Sequence, residues 1–134
     1  MAFLSLWARR QHLGSNSIQA MLDDEALVVR GGLMKLVTTR ISVDTCLARR
    51  GYYGLSFFGD NDLSLDEIVD LGPIEHAMVR VSTAGRVRQA GYEPERTGTY
   101  PHLTVRFDIS PTDDELVELA AAFDSAIPNP GLAD

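Results

Sequence analysis

Between His102 and Ile127 the apolar period of the chain changes once, and that change limits the fold. Up to Ile109 the sequence alternates. Leu103, Val105 and Phe107 fall on one side, and Thr104, Arg106 and Asp108 on the other, as in a half-buried strand. Beyond Ser110-Pro111, the residues Leu116, Leu119, Ala120, Phe123 and Ile127 recur at helical spacing. Ser110 is the expected N-cap and Pro111 the first helical residue. Asp113, Asp114 and Glu115 then suit the positive end of the helix dipole. A one-faced strand followed at once by a one-striped helix must bury both against a shared core, which predicts an α+β arrangement.

The same alternation of signals continues upstream. Residues 3–9 read as a strand, with one helical turn as the alternative, and residues 14–25 as a loop around a short helix. Ala26–Arg30 is β-prone, Gly31-Gly32 bends the chain, and Leu33–Thr39 resumes a β-like run. Ser42 is the expected N-cap of a helix that Gly51 stops. Tyr53–Phe58 reads as a buried strand and residues 59–62 as a turn. Ser64-Leu65-Asp66-Glu67 reads as a capping box for a helix that ends at Gly72-Pro73. Residues 76–92 admit two forms. In one, a strand over Ala77–Val81 leads to a helix from Ser82 or Thr83. In the other, residues 76–90 form one helix, which β-branched residues at 79, 81 and 83 disfavour. Tyr92–Thr97 and His102–Ile109 form a hairpin, and the Tyr100-Pro101 bond in its turn admits the cis form, with trans as the default. The expected fold is one compact α+β domain over residues 1–127, with a small, mostly antiparallel sheet and three to four helices, including the amphipathic C-terminal one. Residues 128–134 are expected to form a flexible tail.

A chain of 134 residues is long enough for a core without staples, and its single cysteine, Cys46, excludes an internal disulfide. The apolar patch at Met1–Trp7 lacks a basic segment before it, and no run approaches a membrane span. The expected setting is cytoplasmic, with no membrane partner.

Charge is sorted into blocks. Residues 1–58 sum to +3, residues 59–75 to −6 with no base, residues 76–107 to +3, and residues 108–134 to −7 with no base. Eleven of the twelve basic residues are arginine. A GC-rich genome explains that bias. So does selection for guanidinium forks that grip phosphate or carboxylate. Arg30, Arg80, Arg86, Arg88, Arg96 and Arg106 are the candidate ligand-binding residues. His102 shares a strand face with Thr104 and Arg106, which makes it the candidate general acid–base.

Other constellations fail on spacing. Asp60, Asp62, Ser64 and Asp66 would begin a calcium loop, but its sixth and twelfth positions are Leu65 and Leu71. His12, His76 and His102 lie far apart, and no paired Cys or His spacing supports a metal. No cofactor is implied. Cys46, with no histidine near it in sequence, reads as a semi-buried core residue.

Two resemblances carry functional content. Arg30-Gly31-Gly32, Ser82-Thr83 and the Glu93-x-Glu95 pair resemble motifs of the mono-ADP-ribosyltransferases. That resemblance implies an arginine on cofactor phosphates, a bracing Ser-Thr, and a glutamate that orients the nicotinamide ribose. Residues 64–107 resemble a winged helix-turn-helix module, which implies phosphate contacts from Arg80, Arg86, Arg88 and Arg96, and requires residues 76–90 to be one helix.

Three functions fit these residues. The first is a small bacterial accessory or toxin-type domain that binds an anionic ligand, nucleotide or RNA, through its Arg/His face. The second is a winged-helix DNA-binding module. The third is a non-catalytic interaction domain whose acidic C-terminal helix meets a protein partner or a second copy of the chain.

Overall fold

The computed structural model describes residues 21–132. The expected strand at 3–9 and most of the expected 14–25 loop and helix lie outside the described residues. Among the described residues, six strands form one antiparallel sheet in the order β4-β5-β2-β1-β3-β6, with four α-helices and a terminal 3-10 turn. In chain order these are β1 (Leu27–Gly31), α1 (Leu36–Arg50), β2 (Tyr53–Asp60), α2 (Leu65–Leu71), β3 (Met78–Thr83), α3 (Ala84–Gln89), β4 (Pro94–Arg96), β5 (His102–Phe107), α4 (Asp113–Ala121) and β6 (Ile127–Pro128). The α+β arrangement read from the sequence is the one observed.

Register assigns the two faces of the sheet. Tyr53, Leu55 and Phe57 pair with Phe107, Val105 and Leu103. Cross-strand partners share a face, so these residues face one core. Val28, Met34, Val43, Leu116, Leu119 and Phe123 complete that core beneath α1 and α4. Phe57 and Phe123 stack at 5.3 Å between ring centroids. Val29 and Val79 point the other way and pack with Ile68 and Val69 of α2 and with Ile74. Beyond Phe58 this second face is open at Ser56 and Arg106.

Several boundaries follow the expected chemistry. Ser64 and Glu67 form the reciprocal capping box of α2, with bonds of 3.2 and 2.8 Å. Gly51 ends α1 in the left-handed region at φ 83° and donates to the Leu47 carbonyl. Met78–Thr83 is a strand, and Thr83 caps the short α3 by accepting from the Arg86 amide. The one-helix form of residues 76–90 is absent, so the winged-helix pattern over residues 64–107 is not formed. Strand β3 is held between β1 and β6, where β-branched Val79, Val81 and Thr83 fit the pleat.

Other boundaries differ. The β-like run at Leu33–Thr39 is instead the start of α1. Its cap, Lys35, makes no side-chain bond, and the Thr39 hydroxyl turns back onto the Lys35 carbonyl. Burial of Thr39 and Val43 outweighs local β-propensity there. Ser42, the expected cap, is mid-helix. The last helix is capped by Thr112, not Ser110, because Thr112 and Glu115 form a second capping box. Ile127 leaves that helix and lies 41% exposed in β6. The Tyr100-Pro101 bond is cis. The stretch from residue 128, read as a loose tail, is docked through Leu132. Pro128 pairs with Met78, and buried Asn129 donates to the carbonyls of Ile74 and His76.

Candidate functional site

The arginines divide by partner. Arg88 makes a two-pronged bond to Glu93 at 2.8 Å and a second ion pair with Asp24 at 2.6 Å. The Glu93 bond, then Asp24, holds its pKa well above the usual arginine value. Arg86 pairs with Asp124, Arg40 with Asp113, and Arg96 with Asp60. Arg80 meets no carboxylate. It donates to the carbonyls of Phe123, Asp124 and Ala120 at 2.7, 2.8 and 3.0 Å, clamping the C-terminal end of α4. These five guanidinium groups are already engaged by the fold. Among the described residues, Arg30, Arg49, Arg50 and Arg106 have no carboxylate within salt-bridge distance.

Arg30 occupies a split in the sheet. Strand β1 pairs with β2 only as far as Val29–Phe58, while its other edge follows β3 to Gly31–Val79. Past that point β2 pairs with β5, and β1 and β2 part. The half-buried Arg30 side chain bridges the gap. It donates to the Ser56 carbonyl at 2.7 Å and to the Ser42 hydroxyl at 2.9 Å, and lies 5.8 Å from the Phe57 ring centroid. Burial pulls its pKa below the ordinary arginine value to about 10, so the group remains cationic at neutral pH with only neutral acceptors.

The split opens into a cleft of about 370 Å³. Arg30, Ser42, Ser56 and His76 supply its polar wall, and Phe58, Pro73 and Ile74 its apolar one, with the Glu75 carboxylate at the side. Gly31 is required here. A Cβ at that position would collide with the His76 ring and stand 2.9 Å from the Ile74 side chain. Gly72 plays the same part behind Phe58, whose ring lies 2.7 Å from where its Cβ would be.

His102 and Arg106 lie on the open face beside this cleft, paired in register with Phe58 and Gly54. The Arg106 guanidinium stacks 4.1 Å above the Tyr52 ring, which leaves its edge N–H groups outward. Glu95 and Asp108 line the same hollow. The His102 ring meets Phe58 edge-on at 5.3 Å. Its Nδ1 lies 2.9 Å from the Thr97 hydroxyl and 3.1 Å from the Thr97 carbonyl. The Thr97 hydroxyl links this group to Thr104 at 2.6 Å. Burial lowers the His102 pKa; the Thr97 carbonyl opposes that shift, and the charge of Arg50 adds to it.

The six arginines singled out in the sequence thus occupy separate settings. Arg30 is in the cleft, Arg106 is on the adjoining face, and the other four are in clamps or ion pairs. Arg50 and His76 were missed. The chain gave no signal for His76 beyond its place after the Gly-Pro turn. Of the fragments resembling ADP-ribosyltransferases, Arg30 is in the cleft, and Ser82, Thr83 and Glu93 have local structural roles. Ser82 donates to the Ala122 carbonyl, Thr83 caps α3, and Glu93 is held by Arg88. Cys46 is half-buried, with its sulfur 3.1 Å from where a Gly54 Cβ would stand. Among the described residues no three His, Cys, Asp or Glu side chains are grouped to hold a metal, and no helix is long and apolar enough to cross a membrane. Comparison with protein-family models, curated proteins and solved structures found no match.

Proposed function

We propose that the chain binds a phosphate-bearing anion, a nucleotide or the end of an RNA, with Arg30 as its anchor and Arg106, Arg50 and His102 on the adjoining face. One observation carries this reading: Arg30 is a half-buried cation with two neutral acceptors and, among the described residues, no carboxylate within salt-bridge distance. Desolvating a charge without a counter-ion is unfavourable, and an anion entering the cleft supplies the missing partner. Within this reading His102 is the proton-transfer residue, an imidazole on the face that adjoins the cleft.

The test is an NMR titration of the whole chain with inorganic phosphate and with nucleotides. Shifts are expected at Gly31, Ser42 and Ser56, lost in Arg30→Met and kept in Arg86→Met. Unmoved resonances at millimolar ligand would end the proposal. A second reading, a non-catalytic interaction domain, draws on Val37 and Ile41, exposed one turn apart on α1. Self-association seen by sedimentation, and abolished by Ile41→Glu, would favour it.

A further inference from the structure

Resting on the anion reading at Arg30, we infer that the cleft takes a nucleoside monophosphate, in preference to a bare anion or a polynucleotide strand. Its two walls have different chemistry. Phosphate alone uses only the polar wall of Arg30, Ser42, Ser56 and His76. Phe58, Pro73 and Ile74 face the same space and suit the flat, weakly polar surface of a base. Phe58 is fixed for that purpose, by the His102 ring edge-on at 5.3 Å and by the absence of a Cβ at Gly72.

Charge excludes the alternatives. Glu75 lines the cleft and is exposed. It repels a free anion but accepts hydrogen bonds from ribose hydroxyls or an exocyclic amine. The cleft segment Gly72–His76 also directly follows the last turn of α2, where Asp70 is exposed and, with Glu75, belongs to the base-free block of residues 59–75. A strand continuing past the cleft on that side would run its next phosphates against these carboxylates. A monophosphate ends before reaching them. Asp70 and Glu75 at this end of the cleft therefore act as a length filter.

Calorimetry on the full chain with four probes tests this: inorganic phosphate, adenosine and guanosine as nucleosides, their 5′-monophosphates, and the matching trinucleotides. The monophosphates are expected to bind at least tenfold more tightly than phosphate and than the trinucleotides. Phe58→Leu should weaken the monophosphates by a larger factor than it weakens phosphate. Glu75→Gln, an exposed substitution that leaves the core intact, should narrow the preference by weakening the monophosphates and strengthening phosphate. Phosphate binding as tightly as the monophosphates would overturn the inference while leaving the Arg30 anion site standing. Trinucleotides binding more tightly, with dependence on Arg106, would replace it with a strand path along the open face. Failure of every phosphate-bearing probe would remove both the inference and the reading beneath it.

Discussion

Arg80→Met separates an arginine that holds the fold from one that holds a ligand. Arg80 reaches from β3 to three carbonyls at the end of α4, at 2.7, 2.8 and 3.0 Å, and to the Leu33 carbonyl at 3.4 Å. Bonds from a charged donor contribute about 1.5–3 kcal/mol each. The guanidinium is only half-buried, and water replaces part of what is lost, so about 1 kcal/mol for each of the three short bonds is the fair value. Arg80→Met should then destabilise by about 3 kcal/mol. With a urea slope of about 2 kcal/mol/M, the midpoint falls by about 1.5 M. Circular dichroism across a urea series reads this directly. Arg86→Met is the internal control. Its exposed ion pair with Asp124 sits at the same helix end, and its loss should be below about 1 kcal/mol. Anion binding should survive Arg80→Met. A loss under about 1 kcal/mol, or equal losses for the two variants, would refute the clamp.

Three further outcomes are expected. Ser64→Ala removes one half of the α2 capping box and should cost about 1 kcal/mol in the same urea assay. Gly31→Ala forces the His76 ring and Ile74 side chain apart; it should destabilise by roughly 1–3 kcal/mol and weaken monophosphate binding in calorimetry. The His102 ring should titrate below its ordinary value of 6.5 by NMR. Because the folded pKa lies below the unfolded one, the unfolded chain binds the extra proton first. The His102 contribution to stability is therefore full above about pH 6.5 and is lost as pH falls toward the lowered value. His102→Gln should flatten that part of the pH profile.

Sequence signals were legible where a side chain announces a boundary. Ser64 with Glu67, and Gly51 after Arg49-Arg50, mark helix ends through bonds made within a few residues. The start of α1 was hidden because Lys35 caps it without a side-chain bond, and because Val37, Thr38 and Thr39 are β-branched. Thr112 with Glu115 carried a capping signal as plain as that of Ser64, but Ser110-Pro111 nearby drew the boundary two residues early. The site was less legible than the fold. Arg88 finds Asp24 across 64 positions, and Arg96 finds Asp60 across 36. Nothing local distinguishes these neutralised arginines from Arg30. The division between engaged and available cations exists only once the sheet has brought distant segments together.

Asn129 gives the cleft a dependence on synthesis order. Its amide holds the carbonyls of Ile74 and His76, so this part of the cleft lining is braced by a residue more than fifty positions downstream. Sheet pairing of β1, β2 and β3 needs nothing beyond Thr83, and can precede that brace as the chain emerges. The cleft takes its final form only after residue 129 has left the ribosome. A shortened product that stops before it retains Arg30 but lacks the brace on Ile74 and His76.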